Sequence, residues 1–544
     1  MKQFVQYLFL TSVACFILSI CSIVQISYAS PPYSSEQENA SPQKGGTLVV
    51  ALNSTPAHLN PAVHSGTLTG LVGTQLFAGL VRYGKDGIIY PYLAKSWEWS
   101  NNNHTLILHL RKNATFHDDT PITSSDVAFS IETVSKYHPF FPMLAALQKI
   151  ETPDAYTVIL KLKNYHPALL RILTPVLTPI LPKHIYGDGQ NIRTHPANWN
   201  VVGSGPFQLA ANQPKNHILL TRFKNFFIPN RPYLDTIDFK LFQGPDEIPM
   251  AMENGEVHVT GFSPLEEHHN QLKKQKHLLV TTEGLDGIRA MAWLGLNLQR
   301  PPFNDSRVRQ ALALTIDKNF ITHKIFRGNS RTMDGPLPAD NPFYAPSEKP
   351  HLLNIEQANK LLDEAGFKRN ATGKRMTLQV TYPPNASALA IPLLKYLRHR
   401  LSRTVGIDLI IEENYDFLVW SKQIASGKFN MTFDIVFSWE DPVIGVHRTY
   451  HSTNAHRNVL WSNTLGYSNP KVDELLDAAA KEPDTARRKE IYAQFQQIVR
   501  EDQPIIWLGT MPYTSIIDGR LRGINNSRWG LLSPMDTTYW VKQQ

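Results

Sequence analysis

Apolar and polar positions along the chain alternate with two periods. Thr47 to Leu52 is a compact apolar run behind Gly45-Gly46 and predicts a buried strand. Trp97-Glu98-Trp99, the polar stretch Ser100 to Asn103, and Thr105 to Leu110 predict two strands around a turn. Val158, Leu160 and Leu162 share one strand face, as do Ile237, Phe239 and Leu241. Helical spacing appears at Val127, Ile131 and Val134, with Ser124-Ser125-Asp126 offered as the cap. It recurs at Ile355, Ala358, Leu361, Leu362 and Ala365, where Gly366 is a natural stop. Asn469-Pro470 supplies a cap and a first-turn proline before Val472, Leu475, Leu476 and Ala479. A further helix from about Asp484 carries Ile491, Phe495 and Ile498, and Asp434 to Phe437 is a short buried strand ending at Trp439. Alternating strands and helices predict α/β lobes. There is no internal repeat and no low-complexity tract.

At 544 residues the chain exceeds one hydrophobic core, so two or three domains are expected. The N-terminus departs from the globular pattern. Lys2, an apolar run from about Phe4 to Val24, and Ser27-Tyr28-Ala29 with small residues at −3 and −1 have the layout of a cleaved signal peptide. The polar stretch Ser34 to Lys44 reads as a flexible leader. An uncleaved anchor competes, because the run is near spanning length. The only cysteines, Cys15 and Cys21, lie inside this segment, so a cleaved chain has no disulfide, thiolate nucleophile or Cys-bound zinc. Lipid attachment at Cys21 is a further alternative, opposed by Ile20 where a small residue is expected. Export of a soluble binder implies a periplasm. Net charge is +8; loss of Lys2 leaves 53 basic residues against 46 acidic. Spread over this length without a long basic block, that charge points to a solvated surface and not to nucleic acid.

Catalytic motifs are missing. Gly203-Ser204-Gly205 is not a nucleophile elbow, Gly373-Lys374-Arg375 lacks the rest of a P-loop, and Gly187-Asp188-Gly189 has no third glycine. The 20 histidines invite a metal or haem site. His447 and His451 would share a helix face, whereas adjacent His268-His269 would not. Scattered packing and surface histidines are the competing reading. The pairs Glu412-Glu413 and Asp118-Asp119 have nothing that places them in one cleft.

Several segments together resemble the extracellular solute-binding proteins of the peptide/nickel-binding group, the receptors of peptide-type ABC importers. They are Gly45-Gly46-Thr47-Leu48 leading to Leu59-Asn60-Pro61, and the run from Leu76 to Ile131 with Arg111, Phe116-His117-Asp118, Pro121 and Asp126-Val127. Gly203 to Phe207, Gly255-Glu256-Val257, Leu294 to Asn297, Arg307 to Leu312, Leu361 to Gly366 and Gly466 to Pro470 follow in the expected order. The resemblance implies an α/β, two-lobed periplasmic binding protein fold with an additional α/β domain. It further implies a signal peptide at 1–29, lobe I from 30–80, 203–288 and 517–544, the additional domain at 81–202, and lobe II at 289–516. Arg111 and Asp126 would then be scaffold.

In peptide-binding members, an Asp in a Trp-centred segment pairs with the peptide amino group. The matching segment is Phe437-Ser438-Trp439-Glu440-Asp441-Pro442, with shortened spacing. Trp439 is expected as an aromatic wall of the cleft, and Glu440 or Asp441 as the carboxylate; both acids facing solvent is the alternative. The dipeptide branch clamps the carboxylate with an Arg, but the corresponding stretch is Tyr382-Pro383-Pro384-Asn385. Arg448 is an alternative anion partner or an ordinary surface or salt-bridging Arg. Tyr382, Asn385 and Asn297 complete the ligand-binding candidates. The expectation is a receptor, not an enzyme, without a cofactor. It would be a monomer that hands a peptide or related small solute, other than an ordinary dipeptide, to an inner-membrane ABC permease, with no nucleic-acid partner. A haem- or chelated-metal receptor of the same fold and an exported hydrolase are the alternatives.

Overall fold

The computed structural model describes residues 42–242, 247–263, 270–285, 287–327, 330–347, 352–455, 459–511 and 513–541. The expected signal peptide with Cys15 and Cys21, most of the leader, and His268-His269 lie outside the described residues.

Two sheets carry the lobes. The first has seven strands, in the order Leu278–Thr281, Thr514–Asp518, Val259–Ser263, Thr47–Leu52, Thr236–Leu241, His217–Arg222 and Phe207–Leu209. Thr47–Leu52 pairs in parallel with both Thr236–Leu241 and Val259–Ser263, which makes this apolar run a central strand. The second sheet has five strands, in the order Ile407–Glu412, Met376–Thr381, Met431–Phe437, Ala290–Leu296 and Ile505–Thr510. Every residue of Ala290–Leu296 is buried, because helices cover both faces of that sheet. Ser306–Thr315 and Ser387–Val405 pack on one side; Phe417–Ala425, Pro470–Lys481 and Thr485–Asp502 pack on the other. Asn469 and Asp484 accept backbone N–H groups as the caps of the last two helices.

The chain crosses between the sheets twice, through 282–289 and 511–513. Thr514–Asp518 pairs with Leu278–Thr281 and Val259–Ser263, so the second crossing precedes the expected boundary at 516/517.

Between Val81 and Val202 a four-stranded antiparallel sheet (Ala94–Ser100, Thr105–Leu110, Thr157–Leu162, Leu147–Asp154) is covered by the helix Ser124–Tyr137. Its first hairpin turns on Asn101, Asn102 and Asn103, all left-handed, a conformation asparagine tolerates better than most residues. The helix is capped one residue earlier than expected, by Thr123. The Asp126 carboxylate accepts the Thr123 N–H at 2.9 Å and its hydroxyl at 2.7 Å, closing a capping box, while its other oxygen accepts the Lys183 N–H. Asp126 is scaffold, and Arg111, whose Nε donates to the Tyr92 carbonyl, is scaffold too.

This region shares one continuous core with the seven-stranded sheet, running from Leu48 and Val50 through Phe77 to Leu108, Ile131 and Leu160. Gly203-Ser204-Gly205 is the seam. A Cβ on Gly203 would lie 1.9 Å from the Leu76 carbonyl oxygen, so only glycine allows this approach. Ser204 Oγ accepts the Ala78 N–H and donates to the Ile180 carbonyl. Among the described residues no helix is long and apolar enough to cross a membrane.

Candidate functional site

A cavity of about 790 Å³ opens between the lobes. The first lobe supplies the turn Asn53–Ala57 after the central strand, the start of the helix Thr67–Leu76, Thr260 and Phe262, and the end of the added domain supplies the half-exposed Trp199. The second supplies Pro383 to Ala386, Tyr415 to Leu418, the edge Asp434, Ile435 and Phe437, and Trp461 and Tyr513. A volume of this order suits a drug-sized or oligopeptide-sized solute. Aromatic rings dominate the inner wall: Phe262 stacks on Phe437 with ring centroids 6.2 Å apart, and Tyr513 meets both edge-on. Among the described lining residues there is no Lys or Arg.

Two carboxylates reach this wall. Asp416 caps the helix Phe417–Ala425, accepting the Leu418 and Val419 N–H groups. Asp434 is different. It is 7 % exposed, accepts one hydrogen bond from the Ile435 N–H at 2.8 Å, and among the described residues has no cation within ion-pair distance. Burial raises its carboxyl to about 7, against the opposing pull of the Ile435 N–H, the Trp461 indole and Arg448. The indole Nε1 of Trp461 lies near this carboxylate without a well-formed hydrogen bond. Arg448, also buried, donates to the Trp461 and Gly445 carbonyls and lies 3.9 Å over the Phe140 ring. Burial lowers its guanidinium to about 9, with Asp434 acting in the opposite direction.

The Trp-centred segment leaves its strand in a sharp corner. Trp439 and Glu440 are both left-handed, at φ 54° and 61°. Two such residues in succession cost about 1–3 kcal/mol each, and persist because their surroundings fix them. The corner sends three neighbouring side chains to three tasks. Trp439 is 2 % exposed and packs edge-on against Phe140, Phe437 and Trp529, in the core of the other lobe and its added domain; it borders the main cavity's neighbourhood without lining it. Glu440 accepts the Tyr83 hydroxyl at 2.6 Å and pairs with Arg528 at 2.9 Å, tying lobe to lobe. Asp441 is locked to Arg488 through two hydrogen bonds of 2.7 and 2.9 Å and caps the short helix Pro442–Gly445. Burial pushes its carboxyl up, but Arg488 outweighs this and holds it down at about 2. Neither acid faces solvent in a loop, and neither faces the cavity.

The other sequence candidates separate as well. Asn385 lines the cavity in a 3₁₀ turn, and no Arg stands beside it there. Tyr382 is buried in the helical layer of its own lobe. Asn297 is spent on the Gly427 and Phe429 carbonyls. Arg448 is buried and held by carbonyls, neither a surface residue nor part of an ion pair.

Histidines near the site are neutral. His64 lines the cavity; burial, helped by His58, holds its ring at about 3. Its Nδ1 accepts the Gly66 N–H, and His58 Nδ1 accepts the Asn60 N–H, so each ring keeps its proton on Nε2 and presents a donor, not a lone pair for a metal. His447 hydrogen-bonds Tyr492, whereas His451 faces Asp473 and Asp477, so that pair shares no ligand. Among the described residues no group of three His, Cys, Asp or Glu side chains could hold a metal ion.

Sequence reasoning named the strand Asp434–Phe437 but passed over Asp434 itself. A lone acid inside a buried apolar strand was the available signal. Phe262, Trp461 and Tyr513 come from three separate segments, and nothing local marks them.

The sequence profile of the bacterial extracellular solute-binding proteins, family 5 Middle, matches residues 89–457. The glutathione-binding protein GsiB of Pectobacterium atrosepticum is 24 % identical over 486 residues, covering 87 % of this chain and 90 % of the relative. Among solved structures, the oligopeptide-binding protein AppA from Bacillus subtilis, in complex with a nonapeptide, superposes with a TM-score of 0.81 at 21 % identity. That match covers 92 % of this chain and 100 % of AppA. NikZ from Campylobacter jejuni, in complex with Ni(L-His), gives 0.78 at 22 % identity, covering 91 % and 99 %. The fold is thus that of two-lobed periplasmic binding proteins, and the chain belongs to the bacterial extracellular solute-binding proteins, family 5, the substrate-binding components of ABC importers.

Proposed function

We propose that this chain is a periplasmic receptor, released from a cleaved signal peptide at 1–29, that captures a peptide-like solute through a protonated amine and delivers it to an inner-membrane permease as a monomer. The observation that carries this reading is Asp434, a buried carboxylate without an ion-pair partner among the described residues, at the wall of an aromatic cavity. Its natural complement is a ligand ammonium, which would satisfy the charge in a site that excludes water. The described walls offer no Lys or Arg to a ligand carboxylate, in keeping with the missing clamp near Asn385. The cargo is therefore a longer, blocked or otherwise modified peptide, or a similar apolar amine, in preference to a free dipeptide.

The lobes close about the crossings at 282–289 and 511–513, with Glu440 and Trp439 sealing the far side. The receptor acts without catalysis. Mass spectrometry of ligand released by denaturing protein purified from cells tests this. Unaltered amine-bearing peptides support it; an exclusively anionic ligand, or cleaved fragments, would overturn it. A haemin titration followed by absorbance tests the chelate reading, which His64 does not favour.

A further inference from the structure

Beside the main cavity lies a second, much smaller gap between the lobes, of about 10 Å³, walled by Ser65, His138, Phe140 and Trp439. That is room for about one water-sized group. It is continuous in its walls with the main cavity, since His64, Gly66, Thr67 and Phe437 line both. Three polar atoms around it are buried without a hydrogen-bond partner among the described residues: Ser65 Oγ, His138 Nε2 and Trp439 Nε1. His138 is 1 % exposed and Trp439 2 %, so water outside the gap does not satisfy them.

The chemistry of these atoms points one way. An indole Nε1 only donates. His138 Nδ1 accepts the Phe140 N–H at 2.9 Å, and burial keeps the ring neutral, so its proton sits on Nε2 and that atom donates too. The serine hydroxyl can join either role. The gap thus holds two fixed donors without a partner among the described residues, and none of its described walls is a Lys or Arg, so it fits an uncharged oxygen better than an anion.

We propose that this gap is a subsite for one carbonyl oxygen of the cargo, received by Trp439 Nε1–H and His138 Nε2–H. The inference rests on the peptide-like reading above and adds to it: the cargo carries an amide oxygen within reach of the amine held at Asp434. It also returns Trp439 to the ligand, through its N–H and not through an aromatic wall.

The test uses phenylalanyl-phenylalaninamide and its analogue in which a trans alkene replaces the peptide bond, titrated calorimetrically into the mature chain and its Trp439→Phe variant. Wild type should bind the alkene about 10- to 100-fold more weakly, the worth of two hydrogen bonds, while Trp439→Phe, which keeps the His138 donor, should discriminate only about 5- to 10-fold. Should the variant not fold, the wild-type indole ¹⁵N spectrum gives the same answer: one buried N–H resonance moves with the amide and stays with the alkene. Equal affinity for both ligands in wild type, or the same loss in both proteins, means that the gap holds a resident water only and overturns the subsite, while amine capture at Asp434 stands. Binding of neither compound removes the peptide reading and this inference with it.

Discussion

Replacing Asp434 by asparagine separates the cost of the site from its use. Asparagine has the same shape, and its Oδ1 can still accept the Ile435 N–H. Only the charge is lost. In the folded protein the carboxyl is raised from its ordinary 3.8 to about 7. The folded state therefore binds more protons than the unfolded one between about pH 4 and 7. Stability falls as pH rises through that window and levels off above it. At 1.36 kcal/mol per pH unit, the ionised carboxylate destabilises the ligand-free protein by roughly 4 kcal/mol above pH 7. Asp434→Asn should accordingly raise the thermal midpoint of the ligand-free protein by several degrees at pH 8, and hardly at all at pH 4.

Cargo binding should move the opposite way. Losing a charge-assisted contact in a dry site costs about 3 kcal/mol, so an amine-bearing peptide should bind about 100-fold more weakly. In wild type, binding below pH 7 must expel a proton from Asp434, and Kd should rise about tenfold per unit as pH falls. Above about pH 8 the ligand amine itself loses its proton. Calorimetry with phenylalanyl-phenylalaninamide across pH 5 to 9 measures both limbs, and differential scanning calorimetry measures stability. A variant that binds the amide as tightly as wild type, or keeps the acidic limb, would refute the assignment of the amine to Asp434. A loss of stability at pH 8 would refute the claim that the carboxylate is uncompensated.

Three further outcomes follow from contacts outside the cavity. Asp441→Asn strands the buried Arg488 guanidinium and should cost about 3–5 kcal/mol in urea unfolding. Because the Asp441 carboxyl is held at about 2, that stabilisation is complete above about pH 4 and disappears as pH falls toward 2. An unchanged urea midpoint at pH 7 would contradict the ion-pair argument. Glu440→Gln weakens the tie to Tyr83 and Arg528, and should speed cargo release about tenfold in stopped-flow displacement; an unaltered off-rate would show that the corner does not hold the lobes together. Ser204→Ala leaves the Ala78 N–H and the Ile180 carbonyl without their partner and should cost about 2 kcal/mol, with cargo affinity unchanged.

Regular elements were legible in the sequence because each carries its own signal. Asn469-Pro470 starts a helix by local chemistry alone, and Thr47–Leu52 is a central strand, buried at Leu48, Val50, Ala51 and Leu52, that shows as a compact apolar run. Helix ends were less secure: Thr123 displaced Ser124 as the cap because the capping box counts three residues back from Asp126. The site was less legible still. Its walls are drawn from 53–57, 260–262, 383–386, 434–437, 461 and 513, positions that only the two crossings bring together. Asn385 was reached through a missing arginine, and the structure puts it at the wall without supplying a cation in its place.

The stretch from Asp434 to Asp441 shows why residue type did not predict role. It contains three acids within eight positions, all of them shielded from solvent, yet their environments differ by partners far away in sequence. Arg488 takes Asp441, and Tyr83 and Arg528 take Glu440. Among the described residues, Asp434 has no such cation, although Arg448 is near enough to be felt electrostatically. Arg448 is held back by the Trp461 and Gly445 carbonyls and by the Phe140 ring. That restraint keeps a ligand ammonium from having to displace a protein cation. A substitution that frees the guanidinium should therefore fill the site from within. Removing the ring by Phe140→Ala would let Arg448 move toward Asp434, lowering the Asp434 carboxyl below its present value of about 7 and weakening amine binding without touching a residue that lines the main cavity. Following the Asp434 carboxyl by ¹³C resonance against pH checks this directly. A titration midpoint that stays near 7 in Phe140→Ala would show that Arg448 is not the competitor held in reserve.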